Sequence, residues 1–251
     1  MDISWLSPFQ AAATMPPTLR PTAMAAPLAY EQPTINKAWE AFVAHVPTIL
    51  LIWIATAVLA GLGAAVTWVL VLIGVGVAGG GAAGDMAVTA ASALGQLAQV
   101  PFSILSSLVG VLFVAVPALH YAKGETITVQ AAFAELLRRP WRYLLAGLFF
   151  SLVMTIGFVL CIVPGIVVAL VMPIYVNRIF LTDQSIMDAF AASFQAVYRS
   201  ANGPDFLGIE ILAWVLVVVV SVCTCGLGAL LAVPVSSFYL QNVAYHKGLI
   251  S

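Results

Sequence analysis

Residues 143–177 read YLLAGLFFSLVMTIGFVLCIVPGIVVALVMPIYVN, 35 positions bounded by Arg142 and Arg178 that hold no Asp, Glu, Lys or Arg. One continuous helix of that length would be roughly 52 Å long, far more than the ~30 Å hydrocarbon core of a bilayer. Pro164-Gly165 stands near the centre and offers a tight turn. The stretch therefore predicts a helical hairpin, about 142–162 and 165–181, that crosses a membrane twice. A second uncharged window, 211–246, has Gly226-Leu227-Gly228 near its centre and predicts spans of about 206–224 and 227–246.

Toward the N-terminus, residues 48–75 make a first span long enough to cross with tilt. Gly79-Gly80-Gly81-Ala82-Ala83-Gly84-Asp85 is too flexible for a helix interior. Residues 86–99 are only mildly apolar, with Gln96 and Gln99, and residues 102–121 make a second span. A rival hairpin at Gly61-Leu62-Gly63 would give an odd number of crossings. With six spans, Arg20, Lys37, Lys123, Arg138, Arg139, Arg142, Arg178, Arg199 and Lys247 all fall on one side, and the other carries only Asp85. The positive-inside rule makes the first side cytoplasmic, with both termini there. One crossing per 35-residue window would separate Arg139 from Arg199 and destroy the asymmetry.

Composition narrows the function classes. Hydrophobic residues make up 63% of the chain and charged ones 8%, with a formal net charge of −1, so no surface is expected to track a nucleic-acid backbone. Met1-Asp2-Ile3-Ser4-Trp5 has neither a basic nor a continuous apolar region, and a cleaved signal peptide is not expected. Residues 1–34 hold six of the fourteen prolines and form an irregular or extended tail, separate from a membrane domain over 35–251. The tail's apolar residues, Trp5, Leu6, Phe9, Leu19, Leu28 and Tyr30, are anchors expected to be buried against a neighbouring copy or subunit, with the bundle's own cytoplasmic face as the competing surface.

Each cytoplasmic stretch carries a short amphipathic segment. Ile35, Ala38, Trp39, Phe42, Val43 and Val46 share one helical face, as do Val129, Ala132, Phe133, Leu136 and Leu137, and Ile186, Ala189, Phe190, Phe194 and Val197. Pro47 and Pro140 stop the first two, and Ser185 with Asp188 three residues on makes a relaxed capping box for the third. Each frame reads branched aliphatic, Ala at +3, aromatic at +4. A pair of spans follows each, and the second span of each pair carries a proline and then a tyrosine: Pro117 and Tyr121, Pro173 and Tyr175, Pro234 and Tyr239. The expected fold is an all-α polytopic membrane protein: six transmembrane helices and three amphipathic interfacial helices in a pseudo-threefold repeat of surface helix, span, span. Trp39, Phe133 and Phe190 are expected to point into lipid or the bundle.

This order of elements, with Cys161-Ile162-Val163-Pro164-Gly165-Ile166 and then Asp188-Ala189-Phe190-Ala191-Ala192-Ser193 on a surface helix, resembles the membrane domain associated with some glycerophosphoryl diester phosphodiesterases and related bacterial integral membrane proteins. The resemblance spans roughly residues 35–247. It implies a six-span, non-catalytic module in a bacterial inner (plasma) or internal membrane. The phosphodiesterase activity of fused relatives resides in a separate soluble barrel, for which 251 residues leave no room, so it is not carried over.

The candidate chemistry is sparse. His45, His120 and His246 share one membrane depth, but no Cys or carboxylate stands at ligand spacing, and interfacial packing is the stronger reading. Glu210 at the start of span five is an intramembrane carboxylate, which marks it as a polar site unless it only serves the helix start. Cys161, Cys223 and Cys225 fall in the non-cytoplasmic turns, where Cys161 could bridge either of the others; free thiols are the alternative. Ser103, Ser106 and Ser107 lack a paired His or Asp and read as helix-packing serines. With no cofactor or metal motif, the expectation is a non-enzymatic membrane scaffold or accessory protein. It would work in lipid as a homo-oligomer or as a subunit of a larger complex. A small-solute transporter or channel is the alternative.

Overall fold

The computed structural model describes residues 26–77 and 82–250, all helix and connecting turns without a strand. A 3-10 turn, Pro27–Tyr30, precedes α1 (Ile35–Ala44), α2 (Val46–Val77), α3 (Ala82–Gly110), α4 (Leu112–Lys123), α5 (Val129–Arg138) and α6 (Pro140–Leu160). Then come α7 (Ile162–Ala169), α8 (Met172–Leu181), α9 (Ile186–Arg199), α10 (Gly203–Cys223) and α11 (Ala229–His246). Among the described residues, five segments are long and apolar enough to cross a bilayer: Val46–Gly76, Gly84–Lys123, Pro140–Leu160, Ile162–Leu181 and Gly203–Cys223. The described residues are thus all-helical, with the makings of a multi-pass membrane protein. α11 falls short in apolarity because Ser236, Ser237, Gln241, Asn242 and His246 lie along it.

Local chemistry sets the helix starts. Thr34, Thr128 and Ser185 each accept, through the side-chain oxygen, the backbone N–H three residues on, at Lys37, Ala131 and Asp188. Ser185 also donates its hydroxyl to the Asp188 carboxylate at 2.6 Å, a side-chain bond in place of the capping-box bond to the backbone N–H. α1 and α5 run out at His45 and Arg139, and the prolines expected to stop them sit instead in the first turn of the next helix, Pro47 in α2 and Pro140 in α6. Proline loses nothing there, because a first-turn N–H has no partner within the helix.

Two sequence expectations are corrected, and the rival hairpin at Gly61-Leu62-Gly63 is absent, as the favoured reading has it. Residues 86–99 are not a separate mildly apolar stretch but continue into the second span, through Pro101, as a run from Gly84 to Lys123. They are held by α2: Thr67 donates to the carbonyl of Gly95 at 2.9 Å, and a methyl added at Gly63 would lie 3.0 Å from the Phe102 Cβ. Gly61 and Gly63 lie within α2, so no hairpin forms there. The α6–α7 turn falls on Cys161, which is extended, while Pro164 and Gly165 are already helical. A methyl at Gly157 would lie 3.0 Å from the backbone of Gly165, so the hairpin closes on two bare backbones. The α10–α11 turn does use its glycine, with Gly226 at φ +91° behind Cys225 at +52°.

α4, α8 and α11 pack against one another, while α1 lies on α11, α5 against α2, α4 and α6, and α9 on α8 and α10. The starts of α2, α6 and α10 and the ends of α4, α8 and α11 gather at one end of the bundle, called the charged end below. Residues 26–30 also dock here. Ala26 N–H donates to the Ala122 carbonyl at 3.2 Å, Ala29 is buried, and the Tyr30 ring meets the Tyr245 ring edge-on. Leu28 and Tyr30 therefore pack on the chain's own bundle, the competing surface, and the packed domain begins before residue 35. Trp5, Leu6, Phe9 and Leu19 lie outside the described residues.

Candidate functional site

The predicted surface-helix frames are buried about their alanines: Ala38, Ala132 and Ala189 are 1%, 0% and 0% exposed. Helix backbones approach closest where the side chain is smallest, which leaves the aromatics at the margin. Trp39 is 47% exposed, with its ring 5.5 Å from Phe42. Phe133 is half-buried. Phe190 is half-buried among Phe149, Phe150, Tyr175 and Phe194.

Two of the three histidines meet. The His45 and His120 rings lie edge to face, 4.8 Å apart, with Phe238 beside both. His45 Nδ1 donates to the Ala41 carbonyl at 2.6 Å and Nε2 accepts the Ile127 N–H at 2.9 Å, while Thr48 donates to the Ile127 carbonyl at 2.9 Å. Both backbone groups of Ile127 are thus held by side chains from the α1–α2 junction. Burial lowers the His45 pKa, against the Ala41 hydrogen bond and with help from His120. His246 lies apart, with Nδ1 donating to the Tyr30 carbonyl at 3.1 Å. Among the described residues no three His, Cys, Asp or Glu side chains come together as metal ligands.

A second polar group, which the sequence reading did not single out, joins the central helices. Asn177 donates to Gln241 at 3.0 Å and Tyr245 at 3.2 Å, Gln241 donates to the Pro173 carbonyl at 2.8 Å, and Asn242 donates to the Ala29 carbonyl at 2.9 Å. Glu210 is fully buried on α10, and neither carboxylate oxygen has a hydrogen-bond partner. Burial, and then Glu210, push the hydroxyl of Tyr198 up to about 12; that hydroxyl donates to the Val167 carbonyl. Cys161, Cys223 and Cys225 are free and exposed, so no bridge joins the two hairpins.

A groove of about 580 Å³ opens between α3, α6 and α8. α3 lines it from Gln96 to Leu108, with Val111 just past its end, and α6 lines it from Tyr143 to Ser151. Gln96, Gln99, Ser103 and Ser107, at 3-4-4 spacing, put one polar stripe into an otherwise apolar lining. That spacing was readable in the sequence; the facing wall was not. Tyr143 and Phe180, stacked 4.1 Å apart, line the groove and also a smaller cavity of about 120 Å³ with Glu135, Arg138, Arg139, Thr182 and Asp183. Arg139 pairs with Asp183 and holds that carboxyl below its ordinary range, and Arg138 lies 3.6 Å from Glu135. Arg142 instead donates to the carbonyls of Thr182 and Gln184, at 2.7 and 2.8 Å, and its Nε is buried without a partner.

Comparison with known protein families, curated proteins and solved structures finds no match.

Proposed function

We propose that this chain is a non-enzymatic integral membrane scaffold or accessory protein that works by packing against a larger membrane complex or copies of itself. The observation that carries this reading is the use made of the buried polar side chains. His45, Thr48, Asn177, Gln241 and Asn242 each hold backbone or one another, fixing surface helices and loops in place. Outward surface is plentiful: only 11% of the apolar window of Gly203–Cys223 is buried within the chain.

The reading includes six crossings, with α11 as the sixth, and a pseudo-threefold repeat. Equivalent caps at Thr34, Thr128 and Ser185, the three buried alanines, and the central trio α4, α8 and α11 support the repeat. The resemblance to phosphodiesterase-associated membrane domains belongs to the same proposal, as does a cytoplasmic charged end. A transporter would centre on the α3–α6–α8 groove, but three helices rather than a ring line it, which suits lateral docking.

Mild-detergent extraction from a native membrane, followed by mass measurement on the particle, tests the proposal. A multi-copy or multi-subunit particle is expected. A monomer that, reconstituted alone in vesicles, passes small solutes would overturn it in favour of transport.

A further inference from the structure

The groove between α3, α6 and α8 adjoins the polar cavity at the α5–α6 junction through their shared residues Tyr143 and Phe180, and we propose that the two together bind a single anionic glycerophospholipid. The phosphate would sit at Arg138 and Arg142 and an acyl chain would lie in the groove. The inference does not depend on whether the protein scaffolds a complex.

Three observations carry it. The first is shape: a volume of about 580 Å³ is in the range of specific ligand sites, roughly 300–1,000 Å³, and is a concavity that a flat helix face in lipid lacks. The second is the order of chemistry. Leu144, Leu148, Met172 and Val176 line the apolar part, and the stacked Tyr143 and Phe180 separate it from the polar cavity that holds Arg138 and Arg139. An amphiphile has the same order, a chain and then a charged head. On the opposite wall, Gln99 and Ser107 offer donors to ester carbonyls, which a plain hydrocarbon chain could not use, while Ser103 gives its hydroxyl proton to the Gln99 carbonyl.

The third is charge. Arg138 and Arg139 line the polar cavity with Glu135 and Asp183, and Arg142, which lines neither cavity, stands behind it with its guanidinium on the carbonyl of Thr182. Asp183 is taken by Arg139 and Glu135 lies nearest Arg138, which leaves one positive charge in excess. Arg142 is that excess, because its partners are neutral carbonyls. Guanidinium forks match phosphate oxygens, and basic pockets at the ends of membrane helices take anionic head groups in this way. A partner helix would fill the apolar part equally well but would leave the rim charge unanswered.

Gly147 makes the test clean. It lines the groove, and a methyl built on it meets nothing within 4 Å, so a larger side chain can enter the groove without disturbing the fold. The full chain, purified in mild detergent, is examined by native mass spectrometry with phosphatidylglycerol, phosphatidylcholine and inorganic phosphate as probes. One retained phosphatidylglycerol is expected, preferred over phosphatidylcholine. Gly147→Leu should lose it at an unchanged melting temperature. Arg138→Gln and Arg142→Gln should each weaken retention about fivefold, because one basic residue near a headgroup is worth a factor of that order. Arg142→Gln also loosens the α8–α9 loop, so Gly147→Leu is the variant that decides. Equal retention of phosphatidylcholine, displacement of the lipid by inorganic phosphate, or full retention by Gly147→Leu would each overturn the proposal. A second copy of the chain seated in the groove would do so too.

Discussion

Replacing His45 by Phe keeps a ring of similar size between His120 and Phe238 but removes both hydrogen bonds that His45 makes. The loss falls on Ile127, which is buried and whose N–H donates only to His45 Nε2. An orphaned buried donor costs about 1–3 kcal/mol. The Ala41 carbonyl still takes the His45 backbone N–H, so the loss there is smaller. The expected destabilisation is therefore about 1–3 kcal/mol at neutral pH. The ring also titrates. Its folded pKa lies below the ordinary 6.5, with burial as the main cause. The stabilisation is then complete above that value and is lost as the pH falls below it through the lowered folded value, because the unfolded histidine takes up a proton that the folded one refuses. Thermal unfolding of the detergent-solubilised protein, followed by tryptophan fluorescence, reads both effects. Wild type should melt higher than His45→Phe at pH 7.5, and the gap should narrow toward pH 5. Parallel pH profiles for the two proteins, or equal melting at pH 7.5, would refute the claim that His45 ties Ile127 as a neutral acceptor.

Gly157→Ala should cost about 1–3 kcal/mol because its methyl meets the Gly165 backbone at 3.0 Å. Gly165→Ala should cost less although its methyl lies closer, 2.4 Å, to an obstacle, since that obstacle is the Phe158 ring, 43% exposed and free to swing outward; paired melts that rank the two the other way would deny that backbone contact limits the hairpin. With Cys161→Ser and Cys223→Ser leaving Cys225 alone, six crossings put that thiol on the opposite side of the membrane from a Ser251→Cys label introduced into a cysteine-free chain. Labelling from the same side in sealed vesicles would leave α11 uncrossed.

Charge-free runs made the long helices readable, because nothing but apolar helix suits such windows. The Ser185 cap was readable from its Asp188, whereas Thr34 and Thr128, at the same offset, lack an acidic residue three positions on to betray them. The α6–α7 turn was misplaced for a physical reason. Pro-Gly suits a turn, but proline suits the first turn of a helix equally well, and the choice fell to the Gly157–Gly165 approach, which is a tertiary contact. Pro101 is a different case, a proline inside a continuing helix, where α2 packs alongside. The stripe from Gln96 to Ser107 could be seen as one face, but only the fold shows that α6 and α8 stand opposite it.

The contrast between α10 and α11 shows why apolarity ranks helices imperfectly. Hydropathy charges Gln241 and Asn242 the full cost of leaving water, yet that cost falls only on polar groups left unpaired. Both find partners inside the bundle: Gln241 joins Asn177 to the Pro173 carbonyl, and Asn242 reaches back to Ala29. α10 is apolar enough to count as a span while it buries Glu210 with both oxygens unpartnered. Measured by unmet hydrogen bonds, α11 is the cheaper of the two to place in hydrocarbon. Its amides also tie it to α8 and to the segment before α1, so the least apolar of the long helices is the one that joins the first residues of the packed domain to its last.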